Sequence, residues 1–172
     1  MSVDQLVSPT PGFVPTHRGT PTTKRYIGAT VVDHFLNFTY AHLMMEINAE
    51  AIVEDKLAFE RVYNAHDVQV THYHADNGLF ETNTPKASVT KAQQTLSFCG
   101  VNAHHQNGKA EQRIKDVTEG ARNSLLHGAH IWPKAVIPLL WPADLKDYVN
   151  LKISLPTRFV PGGKEGRRKL PD

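Results

Sequence analysis

Short apolar runs rich in β-branched residues come first in this chain, and helical patterns then alternate with further short runs. Runs of about four to eight such residues predict buried strands, whereas apolar residues at steps of three and four predict one face of a helix. The predicted strands cover 2–7, Tyr26–Asp33, Phe38–Met45, Val68–Ala75 and 101–103, and the predicted helices cover Ala49–Ala65, Val89–Phe98, Lys109–His127 and Ala143–Ile153. Strands followed by alternating strands and helices favour an α/β or α+β layer structure.

The helix over Lys109–His127 has the clearest pattern in the chain. Its apolar stripe follows steps of four, three, four and four, through Ala110, Ile114, Val117, Ala121 and Leu125. Asn107-Gly108 is expected to start this helix, with Asn107 as a possible N-cap, and Asn48 is the candidate N-cap of the first helix. Cys99-Gly100 is expected to end the helix before it, with glycine as the C-cap.

Length and composition exclude several classes of protein. The chain has 172 residues, of which 40% are hydrophobic and 21% are charged, so we expect one domain with one core and not a disordered chain. No run approaches the roughly 20 apolar residues of a membrane span, and Met1–Pro15 lacks the features of a secretory signal. The single cysteine, Cys99, excludes an intrachain disulfide and a zinc site made of cysteines.

Charge is distributed unevenly although the net charge is only +2. Glu46–Asp67 holds six acidic and two basic residues, and Asp144–Asp172 holds seven basic and four acidic residues. The basic excess could help to hold a polyanion, or it could belong to a solvated tail. From Pro161 onward the sequence is typical of a linker.

Three acidic residues occupy positions that suit a metal site. Asp4 lies in an extended stretch, Asp76 follows a predicted strand directly, and Glu111 lies in the first turns of the strongest helix. A strand–helix–strand–helix segment can return Glu111 to the strand tip that carries Asp76. Converging carboxylates repel one another unless cations lie between them, and hard oxygen ligands select Mg²⁺ or Mn²⁺. The alternative for each acid is a solvated surface charge or a helix cap.

Other candidate sites are weaker. The sequence has no P-loop, no dinucleotide-binding glycine motif and no serine-hydrolase elbow. Four histidines flank two of the three acids, and we expect packing or DNA-facing roles for them more than metal ligation: His72, His74, His104 and His105. An ion pair between Glu111 and Lys115 is possible because these residues are one helical turn apart.

Four short segments, in order, resemble the integrase core of long-terminal-repeat retrotransposons, closest to the Ty/copia type. They are Val3-Asp4 before a proline-rich stretch, VDHFLNFTY at 32–40, HADNG at 74–78 and HHQNGKAEQR at 104–113. The last three resemble the family's IDDYSRFTW, RSDNG and PQQNGVAER. A weaker match follows at Ser154-Leu155-Pro156-Thr157.

The resemblance implies an α/β, ribonuclease-H-like fold, a mixed sheet flanked by helices, over residues 1–160, with a basic, flexible tail over 161–172. It implies that Asp4, Asp76 and Glu111 are the three catalytic acids and hold two Mg²⁺ or Mn²⁺ ions. The implied activity trims the ends of element DNA and then joins them to target DNA. The implied partners are double-stranded DNA and further copies of the chain, acting in the nucleus and not at a membrane. The residues implied to contact DNA are Asn107, Lys109, Lys115 and Arg122.

Departures from the family pattern keep other readings open. His34, Leu36, Asp67 and Gln112 stand where the family commonly has Asp, Ser, Gly and Arg. The family's upstream zinc module needs two cysteines, so we expect a fragment without that module. The main alternative is therefore an inactive, truncated relic that at most binds nucleic acid. A ribonuclease-H-type nuclease is a third, less favoured reading.

Overall fold

The computed structural model describes residues 1–13, 26–32, 38–76, 78–100 and 107–154. Its strands are β1 (Ser2–Val7), β2 (Tyr26–Val32), β3 (Thr39–Leu43), β4 (His72–Ala75) and β5 (Thr95–Phe98). Its α-helices are α1 (Ala49–Asn64), α2 (Asn83–Lys91), α3 (Gly108–Ile131) and α4 (Trp141–Ser154), with short 3₁₀ turns at Leu79–Glu81 and Pro138–Leu140. The order of strands and α-helices is the predicted one, and the fold is a mixed α/β structure as expected.

The five strands form one mixed sheet in the order β3-β2-β1-β4-β5. β1 and β2 are antiparallel, as are β2 and β3, whereas β1, β4 and β5 run parallel to one another. Val32 of β2 is paired with Thr39 of β3, in agreement with the predicted strand–turn–strand. The turn itself lies outside the described residues. The parallel half of the sheet brings together segments that are far apart in sequence.

Each face of the sheet is covered by helices. One face carries the main core, in which residues of β1 and β4 pack with α1: Val3, Tyr73, Ala75, Ile52, Phe59 and Tyr63. On the other face Leu6 and Ala41 pack against a second core made by α3 and α4: Val117, Ala121, Leu145 and Val149. Because strand side chains alternate between faces, Ser2 and Asp4 lie on the α3 side of β1. The described helices include none with the length and apolarity of a membrane span.

Helix α1 begins as the sequence predicts. The Asn48 side chain accepts a hydrogen bond from the backbone N–H of Ala51 at 2.8 Å, which satisfies one of the free donors of the first turn. The helix is tied to the sheet by Glu60, whose carboxylate accepts hydrogen bonds from Lys56, Tyr73 and Gln94. This buried cluster fixes α1 against β4, the strand that leads to Asp76.

The predicted helix over Val89–Phe98 is wrong in its second half. Helix α2 begins earlier, at Asn83, and ends at Lys91, and the chain then turns through Gln93, whose φ is 56°. Thr95–Phe98 forms β5, which pairs with β4. Leu96 and Phe98 alternate inward against the main core, so pairing along the sheet overrides the local helical preference. The glycine C-cap expected at Gly100 is therefore also wrong.

Other boundaries differ by smaller amounts. β4 begins at His72, not at Val68, and α3 continues four residues beyond the predicted end, to Ile131. Helix α4 begins at Trp141, and Pro142 sits buried in its first turn, where its missing N–H costs nothing. The predicted strand over 101–103 and the predicted tail over 161–172 lie outside the described residues.

Candidate active site

Asp4, on β1, and Asp76, directly after β4, each follow the last paired residue of two neighbouring parallel strands. Ser2 is paired with His74 and Val3 with Ala75, so Asp4 and Asp76 come next in the same register. Neighbouring strands are about 4.8 Å apart. Val3 and Ala75 point into the main core, so the two carboxylates point to the opposite face. A local hydrogen bond from the Gln5 N–H to Asp4 Oδ1, at 2.8 Å, orients the Asp4 carboxylate.

Cys99 extends this row to a third strand. Phe98 is the last residue of β5 paired with β4, opposite Ala75, and the Cys99 N–H donates to the Ala75 carbonyl at 3.1 Å. The Cys99 side chain is buried, at 3% exposure. Burial raises the pKa of its thiol, and the negative charges of Asp76, Glu111 and Asp4 raise that pKa further. The negative charges of all three acids singled out in the sequence therefore raise the pKa of one buried thiol.

Glu111 reaches this neighbourhood from helix α3. The helix begins at Gly108 and contacts β1 and β2. Ala110, in its first turn, is fully buried, at 0% exposure. Glu111 follows in that turn, with its side chain exposed. The fold thus directs the start of α3 toward the row formed by Asp4, Asp76 and Cys99.

The chemistry of these side chains fits divalent cations. Carboxylate oxygens are the hard ligands that Mg²⁺ and Mn²⁺ prefer. Across the described parts of the chain, however, no three His, Cys, Asp or Glu side chains stand in a metal-binding arrangement. Repulsion between like charges opposes a closer approach of the carboxylates. The acids share a neighbourhood, and their role as metal ligands stays a prediction.

A chain of polar contacts runs along β4 and β5 toward the acids. His72 Nδ1 lies 2.7 Å from Thr95 Oγ1, and His72 Nε2 lies 2.9 Å from Ser97 Oγ. Ser97 Oγ is also 2.8 Å from His74 Nδ1, and His74 Nε2 is 3.6 Å from Cys99 Sγ. These contacts orient the exposed His72 and the half-buried His74 beside the site, and the packing or DNA-facing roles expected for them stay a prediction. His104 and His105 lie outside the described residues.

Asn107 is buried between α3 and β1. Its side chain is 1% exposed, and its Nδ2 donates to the Val3 carbonyl at 3.0 Å. Asn107 is the N-cap residue of α3, as expected, but its side chain makes no capping hydrogen bond. Its Oδ1 has no hydrogen-bond partner among the described residues. The contact with DNA implied for Asn107 stays a prediction.

The three basic residues implied to contact DNA are exposed on α3. At about 100° per residue, Lys115 and Arg122 share a helix face with Glu111, whereas Lys109 lies roughly 200° around the helix from it. The ion pairs described on α3 join Asp116 to Arg113 and Lys152, not Glu111 to Lys115. Lys115 and Arg122 therefore stand beside Glu111 without being paired to it.

The sequence reading missed Thr95, Ser97 and Cys99 as neighbours of the site. The sequence pattern predicts a helix that includes Thr95 and Ser97 and ends just before Cys99, and in a helix these residues would not share a face. The signal that could have found them is the alternation of polar and apolar residues from Thr95 to Cys99, which is the pattern of a strand.

No protein-family model matches the chain, and no curated protein matches it either. Solved structures match it by fold. The catalytic core domain of BIV integrase aligns with a TM-score of 0.61 over 92% of this chain and 85% of its own, at 14% sequence identity. The HTLV-2 integrase catalytic core domain in complex with magnesium, in a trimeric form, aligns with a TM-score of 0.57 over 86% of this chain and 81% of its own, also at 14% identity.

This is the fold of retroviral integrase catalytic cores. The integrase-core fold is ribonuclease-H-like, as the resemblance of the sequence implies. A longer chain from the simian T-cell lymphotropic virus intasome, solved with PP2A regulatory subunit B56 gamma, aligns with a TM-score of 0.58 at 14% identity. That alignment covers 76% of this chain and 43% of the intasome chain, so this chain spans less than half of it.

Proposed function

We propose that this chain is the catalytic core of an integrase from a long-terminal-repeat retrotransposon of the Ty/copia type. The observation that carries the proposal is the pairing of β1 with β4, which leads directly into Asp4 and Asp76, together with the contact of β1 with α3, whose first turn holds Glu111. The integrase-core fold supports it independently. The Ty/copia type is proposed because four sequence segments resemble that family.

The proposed reaction is a metal-dependent transfer of polynucleotides. Asp4, Asp76 and Glu111 are the residues that would hold Mg²⁺ or Mn²⁺, as a pair of ions. Bound divalent ions activate the attacking oxygen and stabilise charge on the leaving oxygen. Water attacks a phosphodiester near the end of the element and leaves a free 3′ hydroxyl. That hydroxyl then attacks a target phosphodiester, so each step exchanges one P–O bond for another.

The proposed partner is double-stranded DNA, at the element ends and at the target. Lys115 and Arg122 flank the Glu111 face of α3, where they would neutralise phosphates next to the reacting bond. Lys109 and Asn107 complete the set implied by the resemblance, although Lys109 lies on another face. We further propose that the chain acts as a homo-oligomer in the nucleus.

A disintegration assay on branched DNA tests the proposal, since it asks the core alone to exchange phosphodiesters. We expect product with Mn²⁺ or Mg²⁺, no product with EDTA, and a loss of at least about a hundredfold in Asp76→Asn and in Glu111→Gln, because each removes a charged ligand from the site. The matched control is Glu119→Gln, an exposed acid on the same helix, which should retain wild-type activity.

The same assay separates the competing functions. A folded chain that binds branched DNA but gives no product with either metal would make the inactive, nucleic-acid-binding relic the better reading. Metal-dependent cleavage of RNA–DNA hybrids without any joining of DNA would favour the ribonuclease-H-type nuclease. Activity that persists in Asp76→Asn would contradict the assignment of the three acids.

A further inference from the structure

Asn107 makes a contact that joins two distant parts of the chain beside the candidate site. Its Nδ2 donates to the backbone carbonyl of Val3 across 104 positions of sequence. Because that carbonyl can only accept, the amide orientation is settled: the nitrogen faces β1 and the oxygen faces away. The residue is 1% exposed, so water does not compete for this hydrogen bond.

This hydrogen bond lies between the two segments that carry Asp4 and Glu111. Val3 is the last residue of β1 paired with β4, and its carbonyl belongs to the peptide group that leads into Asp4. On the other side of the bond, Glu111 follows Asn107 by four residues, about one turn of α3. One buried amide therefore links the peptide group at Asp4 to the helical turn that carries Glu111.

Alternative roles explain Asn107 less well. Its side chain does not cap α3. At 1% exposure it offers little surface to a DNA backbone. A role in packing alone does not need a polar side chain, and an apolar residue would avoid the cost of Asn107 Oδ1, which is buried without a hydrogen-bond partner among the described residues. What remains specific to asparagine is the Nδ2 donor.

We propose that Asn107 is a positioning residue, which sets the distance between Glu111 and Asp4 through its hydrogen bond to Val3. This inference rests on the proposed function and assigns Asn107 a part in it other than contact with DNA. The residue acts through the two acids and touches neither DNA nor metal. Residues that orient metal ligands typically change activity or metal affinity by about ten- to a hundredfold when they are replaced.

The test compares Asn107→Asp and Asn107→Leu with wild type in the disintegration assay. Aspartate has nearly the volume of asparagine, whereas leucine has a similar branched shape but is larger, and neither an ionised aspartate nor leucine can donate to the Val3 carbonyl. We expect kcat to fall about ten- to a hundredfold and the Mn²⁺ concentration for half-maximal rate to rise, while KM for DNA changes less than about twofold. Asn123→Asp is the matched control, since Asn123 is exposed on the same helix and should behave as wild type.

Each other outcome overturns the proposal. A higher KM with unchanged kcat would make Asn107 a DNA contact. Unchanged kcat and Mn²⁺ dependence at a temperature where the variants are folded, or failure of both variants to fold, would make the bond a matter of stability. An inactive wild type would remove the proposed function itself, whereas an active wild type with equally active variants would remove only the positioning role.

Discussion

A single buried acid, Asp55, stands out among the residues of helix α1. It is 0% exposed, and neither carboxylate oxygen has a hydrogen-bond partner in the part of the chain that the structure describes. Burial raises the pKa of Asp55 well above its usual range. The cost of an orphaned buried group is of the order of 1–3 kcal/mol, which is a large part of the stability of a small domain.

Replacing Asp55 with asparagine, which has nearly the same shape and cannot ionise, should stabilise the protein at neutral pH by about 1–3 kcal/mol, because it removes the cost of keeping an acid in the core. The folded state keeps the Asp55 proton at pH values where the unfolded chain has lost it. The free energy of unfolding of wild type therefore falls as pH rises above the ordinary pKa of 3.8. Thermal unfolding of both proteins between pH 4 and pH 8 measures this: the advantage of Asp55→Asn should grow with pH. An advantage that is constant or shrinks would contradict it.

Asp67 illustrates a departure from the family pattern that has a physical consequence. It follows α1 with a φ of 56°, in the left-handed region, where the family commonly has glycine. Asp67→Gly should relieve this strain and raise the free energy of unfolding by about 0.5–1 kcal/mol. Urea unfolding measures the change. Asp67→Ala is the companion variant and should give no gain, because alanine has the same backbone restriction; equal stabilisation by both would exclude the backbone as the cause.

At the scale of elements, the packing of α3 on α4 depends on one small residue. A Cβ atom built at Gly120 would overlap the ring of Tyr148, a partly buried residue that packs against the second core. At Gly128, on the same helix, the nearest atom would be Val136 Cγ2 at 3.5 Å, an ordinary contact. Two glycines in one helix thus have opposite packing environments.

Gly120→Ala should destabilise the protein by about 1–3 kcal/mol, because the Tyr148 ring must leave its place between the two helices. Gly128→Ala should instead be neutral or stabilising by up to about 1 kcal/mol, because alanine favours the helix. The two variants, compared by thermal unfolding under the same conditions, check the helix–helix contact directly. The same loss in both would show that the contact does not depend on Gly120.

For the whole molecule, sequence patterns predicted the elements better than their contacts. The stripe of α3 was readable because one face is buried over several turns, and Val117 and Ala121 do lie in a core. The second half of the helix predicted over 89–98 is a strand, because pairing with β4 outweighs the helical preference of a segment whose alternation of polar and apolar residues is only five residues long. The position of Asn107 under β1 could not be predicted, since its partner is the Val3 backbone, whose carbonyl carries no sequence signal.

Asp4, Asp76 and Cys99 come together only when β1, β4 and β5 pair in the correct register. Any activity that depends on these residues therefore depends on that register. A slip of β4 by one residue against β1 would turn Asp76 toward the main core and place Ala75 on the other face. Helix and strand content would hardly change, so circular dichroism would not detect such a chain. Under the proposed function, the active fraction of a refolded sample would therefore count the molecules whose strands had paired correctly.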